Sequence, residues 1–338
     1  VLFECGGRLP LRWLRHNPMV LLQSLAEALF TGLAAYGAMR WLGLAQQASS
    51  LLALVAVAAS PTVLMRVIAD TRAAGAVTER AIVLCTLSSL YVLVLGAAWA
   101  RLMTGPAQGI GAAIESAAMV LAASAAMGAL LALVLRLVLR VMSPLSGNTA
   151  IAVLALIAVC TAVTAPLGGS APLAALLAGM LLKHFYVRPW AWPRQASSAS
   201  TLLAILMFVL VSTVAAQWRW SAAVAGAVLG VGGVGRAAKA VGVALANPGS
   251  GASWLQAAWT SGAMSPLSGV ALLVASGFVA AAPEAAAPMA EIALPAILLM
   301  EVLGAILTTV ALYGAGESLK PWTPQMRERA ATPEGDGA

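Results

Sequence analysis

Long apolar stretches follow one another along most of this chain, and short segments with charged and turn-forming residues separate them. A transmembrane helix needs about 20 mostly apolar residues. By that criterion the pattern predicts ten spans, named here in chain order: a 19–44, b 47–69, c 81–101, d 110–140, e 149–166, f 171–185, g 199–217, h 221–246, i 254–281 and j 290–315. Because the ten-residue alternation of transmembrane strands is not seen, we expect an all-α polytopic membrane protein.

The composition excludes several classes of protein. Of the 338 residues, 61% are hydrophobic and 9% are charged, and the mean hydropathy is +0.93, whereas soluble domains carry roughly 25% charged residues. A soluble enzyme, a nucleic-acid-binding protein and a disordered chain are therefore excluded. Three cysteines and two histidines are too few and too scattered for a disulfide framework or a metal cluster. The sequence has no catalytic triad pattern, so we predict neither enzymatic activity nor a cofactor.

The basic residues are distributed unevenly between the two sides of the membrane. The N-terminal stretch, loops b–c, d–e and f–g, and the C-terminal tail contain 14 of the 19 basic residues, whereas the opposite side has three and span h has two. Since cytoplasmic loops carry the excess of Lys and Arg, both ends of the chain are expected to be cytoplasmic. Residues 317–338 are charged and rich in Pro and Gly, which predicts a disordered tail.

Two spans contain a Ser-Pro step near their middle. Proline removes a backbone donor, and in a membrane the freed groups must be satisfied by protein or by water in a cavity. Helices broken at corresponding places in two halves indicate the midplane binding site of a transporter. Span i follows span b by seven positions, so the two cross in opposite directions, as an inverted repeat requires; alternatively, each proline only kinks its helix. The candidate binding residues at these steps are Ser60, Pro61, Thr62, Ser265, Pro266 and Ser268.

Several short motifs, in their order and spacing, resemble bacterial monovalent cation:proton antiporters of the sodium/hydrogen exchanger superfamily. They are Phe3-Glu4-Cys5-Gly6 with the stretch 11–18, Ala58-Ala59-Ser60-Pro61 leading to Arg66, Thr78-Glu79-Arg80, the stretch 174–179, Lys239, and the stretch 265–271. The resemblance covers the chain up to Gly316. It implies inverted five-helix repeats with two broken helices crossing at the ion site, H⁺ and Na⁺ or K⁺ as partners, a homodimer, and the bacterial inner membrane.

The resemblance also suggests that the chain is incomplete. Family members usually have thirteen helices. If span b is the first crossing helix, about three N-terminal helices are missing, and residues 1–316 are a fragment of the transporter domain.

Span c departs from the family pattern at the acidic position. In the family, an Asp in the helix after the first crossing helix carries the ion and the proton, but span c has Ser88 or Ser89 there and no carboxylate within its apolar run. A hydroxyl can bind Na⁺ but cannot carry a proton at neutral pH. Three functions therefore stay open: H⁺ exchange for Na⁺ or K⁺ by alternating access, a transport-inactive regulatory or scaffold subunit, and a carrier of a neutral or anionic solute.

Ionisable residues within the spans are further candidates, because charges there are costly. Lys239 matches the family's intramembrane basic residue; it could gain and lose a proton, since burial disfavours its charged form, or it could extend to the cytoplasmic surface. Glu27 and Glu301 are candidate proton carriers, or else packing partners of neighbouring helices. Arg236 is expected to be structural or interfacial.

One dinucleotide-like motif does not fit its context. The segment Gly230-Val231-Gly232-Gly233-Val234-Gly235 has the GxGxxG spacing, but that fingerprint requires a preceding β-strand. Within span h it predicts a face of small residues for close helix packing.

Overall fold

The computed structural model describes residues 2–9, 14–15, 17–104, 109–143, 146–185, 221–267, 269–281 and 283–319, together with six positions between 202 and 213. Regular structure in these ranges is helical. The helices are α1 Leu2–Arg8, α2 Pro18–Trp41, α3 Gln46–Val57, α4 Pro61–Thr71, α5 Ala76–Thr104, α6 Ile110–Val141, α7 Gly147–Thr164, α8 Ala171–Phe185, α9 Ala222–Leu229, a π-helical segment Gly230–Val234, α10 Gly235–Leu245, α11 Trp254–Ala263, α12 Gly269–Ala281 and α13 Pro283–Gly314.

The predicted spans agree with these helices, apart from span g, which lies outside the described residues. By length and apolar composition, seven described segments could cross a membrane, and α8 and α12 are shorter apolar helices. The largest differences are at two helix starts. The helix of span c begins at Ala76 and that of span j at Pro283. Both helices start before the predicted apolar span, because a helix can begin with polar residues or with a proline, whereas the prediction counted only apolar stretches.

Both spans with a Ser-Pro step are broken helices, as predicted. Helix α3 ends at Val57 and α4 begins at Pro61. Proline is well suited to the first position of a helix, because the N–H group that it lacks would have no intrahelical partner there. Between them, Ser60 is extended (φ −94°, ψ 98°), and its Oγ accepts a hydrogen bond from the N–H of Val63 at 3.1 Å. The second break separates α11 from α12. Each break therefore creates one helix C-terminus and one helix N-terminus inside the protein.

The described helices form two bundles. The first contains α1, α6, α7 and α8, and a Cβ atom at Gly6 of α1 or Gly179 of α8 would overlap the backbone of the other helix. The second contains α2 to α5 and α9 to α13. In the second bundle, a long helix, a broken helix and another long helix (α2, α3–α4, α5) are repeated as α9–α10, α11–α12 and α13. This is the expected inverted repeat with two crossing broken helices.

Candidate functional site

The two breaks contact each other in the second bundle. The N–H of Ser60 donates to the carbonyl of Pro266 at 2.8 Å, and both residues are buried. This bond satisfies backbone groups that the helix breaks leave without intrahelical partners. Pro61 is the buried first residue of α4, Thr62 follows it half-buried, and Ser268 lies outside the described residues.

Hydroxyl groups from the two long helices hold the broken segments. Ser89 on α5 donates to the carbonyl of Ala59 at 3.0 Å and also to a carbonyl of its own helix. On α13, Thr308 donates to the carbonyl of Ala263 at 3.1 Å. In each half, the long helix that follows the broken helix therefore donates a hydrogen bond to the break. Ser89, which the sequence predicted as a site residue, lies at the crossing.

A buried ion pair lies beside the crossing. Nζ of Lys239 on α10 is 2.7 Å from Oε1 of Glu27 on α2, with side-chain exposures of 3% and 0%. Lys239 also donates to the carbonyl of Val57, the last residue of α3, at 2.8 Å. The other carboxylate oxygen of Glu27 accepts from Oγ of Ser88 at 2.8 Å, and Thr31 Oγ1 is 3.4 Å from Oε1. Both charges are therefore paired and hydrogen-bonded, as buried charges must be.

This geometry excludes one of the alternatives for Lys239, the extension to the cytoplasmic surface. Its side chain does not extend to the surface, because it is buried and bonded to both Glu27 and the end of α3. Helix α10 lies directly on α2: a Cβ atom at Gly242 would overlap the backbone of Glu27. The two serines of span c have different partners, since Ser88 binds Glu27 and Ser89 binds the break.

Arg236 also belongs to the crossing and is not merely interfacial. Its Nη1 donates to Oγ of Ser265, which in turn donates to the carbonyl of Gly262 at 2.6 Å. Gly262 is in the last turn of α11. The C-terminus of α11 therefore has a guanidinium beside it, just as the C-terminus of α3 has the ammonium of Lys239. Since helix C-termini carry partial negative charge, both cations are favourably placed.

The glycine-rich segment before these two cations is helical, which agrees with the interpretation as a packing face. It forms a π-helix, Gly230–Val234, and Gly235 after it lies against Ala56 of α3. A π-helical turn contains extra backbone and changes the direction of the side chains that follow; such turns are frequent at functional sites. Here it precedes Arg236 and Lys239 directly.

Glu301, the other predicted proton carrier, is not part of this group. It is half-buried on α13 and, within the part of the chain that the structure describes, has no ion pair within 4 Å; it interacts electrostatically with Arg66 of α4. One turn further along α13, Gly304 packs so tightly on Pro266 that a Cβ atom would overlap it. Glu301 is therefore near the crossing but shares no bond with Glu27 or Lys239.

Sequence reasoning missed a polar cluster one turn from the ion pair. Arg80 of α5 donates to the hydroxyl and the carbonyl of Ser250 at 2.9 and 2.8 Å and approaches Oε1 of Gln23 at 3.4 Å. Gln23 on α2 also donates to the carbonyl of Val243 at 2.9 Å. In addition, Oγ of Ser24 is buried without a hydrogen-bond partner among the described residues. Only the motif containing Arg80 gave a signal in the sequence.

The site combines oxygen ligands with groups that can exchange a proton. A carboxylate, a hydroxyl and a backbone carbonyl lie within hydrogen-bonding distance of each other or of one ammonium. Such oxygens are the ligands that hard cations prefer. A carboxylate is a proton acceptor and an ammonium is a proton donor, so the site holds both kinds of group beside the oxygen ligands.

Comparison with known proteins agrees with this architecture. The fold matches the structure of the sodium proton antiporter MjNhaP1 from Methanocaldococcus jannaschii, with a TM-score of 0.69, 15% sequence identity, and coverage of 95% of this chain and 84% of that chain. No curated protein matches the sequence. The family model of the sodium/hydrogen exchanger transmembrane region matches residues 1–314. Because this match covers nearly the whole chain, the protein belongs to the sodium/hydrogen exchanger family, whose members are membrane antiporters rather than enzymes.

Proposed function

We propose that the protein exchanges H⁺ for a monovalent cation, Na⁺ or K⁺, and that Glu27 replaces the acidic residue absent from α5. The observation that carries this proposal is the hydrogen bond of 2.8 Å from Ser88 to Oε2 of Glu27. Ser88 is one of the two residues at the acidic position that the family resemblance defines. A carboxylate from the neighbouring helix α2 thus reaches the position where the family has its own carboxylate.

In this proposal a proton on Lys239 competes with the transported cation. When Lys239 loses a proton, its ammonium becomes a neutral amine, and one cation takes the place of the ammonium between Glu27, the carbonyl of Val57 and the hydroxyl of Ser88. The net charge of the site is the same before and after this exchange. Constant charge matters because an uncompensated charge in a low-dielectric interior is costly. Release of the cation on the other side lets Lys239 take up a proton again.

Exchange further requires that the site opens to one side at a time. We propose that the second bundle, which holds the site, moves against the first bundle in an alternating-access cycle. The contact between the bundles supports this proposal, because Cys5, Leu176 and Met180 of the first bundle belong to one apolar cluster with Leu84 of α5. Apolar contacts are non-directional, so the two surfaces can slide.

The orientation and assembly are also proposals. The excess of basic residues on one side of the predicted spans favours cytoplasmic chain ends, and the family resemblance implies a bacterial inner membrane. A homodimer is proposed on the family resemblance alone.

A carrier of an anionic or neutral solute is the second candidate. One observation favours it: Arg236 and Lys239 give the crossing two positive charges, against the single carboxylate of Glu27. An electropositive site would attract an anion, and the N-termini of α4 and α12 at the breaks would assist.

Proteoliposomes containing the purified protein and an internal pH-sensitive dye test the proposal. We expect an imposed Na⁺ or K⁺ gradient to drive H⁺ in the opposite direction, with liposomes containing a large organic cation as the control. Flux that appears only with an anionic or neutral solute would establish the second candidate. No flux with any solute would contradict transport altogether and support a regulatory or scaffold subunit.

A further inference from the structure

The two helix C-termini at the crossing are neutralised by chemically different cations. Lys239 binds the last carbonyl of α3, whereas Arg236 reaches the last turn of α11 through Ser265. We propose that Arg236 determines the number of cations exchanged, because it closes the end of α11 to the transported cation and leaves only the end of α3 open. This inference rests on the proposed exchange function and adds the residue that limits it to one cation.

The end of α11 would otherwise offer a second set of oxygen ligands. The carbonyl of Gly262 accepts from Ser265 and that of Ala263 accepts from Thr308. These hydroxyl and carbonyl oxygens lie where the helix carries its partial negative charge. The same types of ligand, at the end of α3, form part of the site proposed for the transported cation. Without a resident positive charge, the end of α11 would therefore suit a second cation.

Arginine and lysine differ in whether they can leave such a position by losing a proton. A guanidinium stays protonated in proteins, whereas an amine can become neutral. A cation can therefore replace the charge of Lys239 but not that of Arg236. Helix α10 thus presents an exchangeable charge to one helix end and a permanent charge, three residues earlier, to the other.

No carboxylate among the described helices around α10 offsets the charge of Arg236. The helices that pack on α10 are α2, α3 and α11 together with the π-helical segment, and their only acidic residue is Glu27, which is bonded to Lys239. Glu301 of α13, which lies near the crossing, is not paired with Arg236 within 4 Å in the described part of the chain. The contact that the structure gives the guanidinium is with Ser265 at the end of α11. At about 4 Å, its repulsion would weaken the binding of a second cation by roughly a thousandfold.

The test compares the number of cations exchanged per proton in the wild type and in three variants. Arg236→Gln removes the charge but keeps a side-chain amide that can donate to Ser265, and Arg236→Lys keeps the charge. The matched control is Arg101→Gln, because Arg101 is also a half-buried arginine that donates to a neighbouring oxygen, the carbonyl of Gly168 at 2.9 Å, but lies outside the crossing. The readouts are the dependence of exchange on Na⁺ concentration and the Na⁺ gradient at which H⁺ flux reverses, measured at several membrane potentials.

We expect the wild type, Arg236→Lys near neutral pH and Arg101→Gln to show a hyperbolic Na⁺ dependence and a reversal gradient independent of membrane potential. Arg236→Gln should show a sigmoidal Na⁺ dependence and a reversal gradient that shifts with potential, because an additional positive charge moves in each cycle. Wild-type behaviour of Arg236→Gln would overturn the inference. If the wild type itself shows no exchange, the proposed function fails instead.

A second measurement does not depend on the folding of a variant. Equilibrium dialysis of the purified wild type against radioactive Na⁺ at alkaline pH should saturate at about one Na⁺ per chain. Saturation at about two would overturn the proposed role of Arg236, whatever the variants do.

Discussion

Neutralising the Glu27–Lys239 pair separates its contribution to stability from its role in transport. Three variants are needed: Glu27→Gln, Lys239→Met, and the two together. At the observed distance of 2.7 Å, Coulomb's law with an effective dielectric constant of 20 gives an attraction of about 6 kcal/mol. Desolvation of both charges opposes this attraction, so the pair as a whole contributes far less.

The single variants should be much less stable than the double variant. Each leaves one buried charge without its partner, which typically costs about 3–5 kcal/mol, whereas replacing both members of a buried pair is often neutral or stabilising. We expect each single variant to lower the thermal midpoint in detergent by on the order of 10 °C and the double variant to recover most of this loss. The control is Glu4→Gln, because Glu4 and Arg8 form a more exposed pair at 3.5 Å, and surface pairs contribute about 0–1 kcal/mol.

Exchange assays on the same variants complete the test. All three variants should lose H⁺-coupled exchange, and the stable double variant shows that this loss does not arise from unfolding. A double variant as unstable as either single variant would refute the energetic reasoning. A double variant that still exchanges H⁺ for a cation would refute the assignment of the carrier to this pair.

Three further changes test the surroundings of the site. Ser88→Ala removes the hydrogen bond to a charged carboxylate and should cost about 1–3 kcal/mol, with a higher KM for the cation but H⁺ coupling retained. Glu317→Gln should lower the thermal midpoint, because Glu317 caps the first turn of α5 with three hydrogen bonds of 2.7 Å. A helix cap contributes about 0.5–2 kcal/mol to stability. An unchanged midpoint would show that this cap contributes nothing. Gly304→Ala should greatly reduce the yield of folded protein, because its Cβ atom would overlap Pro266, whereas Gly277→Ala, with nothing within 4 Å of its Cβ position, should not.

The pattern of the sequence was sufficient for the architecture of the second bundle. Proline within an apolar span has few consequences other than a kink or a break, and Ser60 before Pro61 is also a preferred N-cap residue. The odd offset of seven positions between the two spans with a Ser-Pro step then determined that they cross in opposite directions. These are local or counting arguments, which do not depend on how the helices pack.

The partner of Lys239 could not be derived in this way. Glu27 lies 212 residues from Lys239 and 61 from Ser88, and depth within a span does not specify which face of α2 meets α10. That contact depends on Gly242, which permits close approach but has no distinctive signal in the sequence. Glu27 and Glu301 were therefore equivalent candidates, and only packing separates them.

The start of the expected tail is likewise determined by tertiary contacts. Residues 317–338 have the composition of a disordered segment, yet Glu317 binds the N-terminus of α5, and Oγ of Ser318 donates to the carbonyl of Thr71 at 3.0 Å. Exposed N–H groups at a helix N-terminus attract a carboxylate, and composition cannot show that such an end lies nearby. Glu317 and Ser318 therefore belong to the packed part of the chain, and residues 320–338 are outside the described part.

Proton release on cation binding tests most directly whether Glu27 and Lys239 form the exchange site. Na⁺ or K⁺ is added to the purified protein in detergent, in weakly buffered solution at a pH where exchange is active, and the change in pH is recorded. The wild type should release about one proton per chain, and Glu27→Gln and Lys239→Met should release none. Undiminished release from folded Glu27→Gln would contradict the account, because the competing proton and cation would then bind elsewhere.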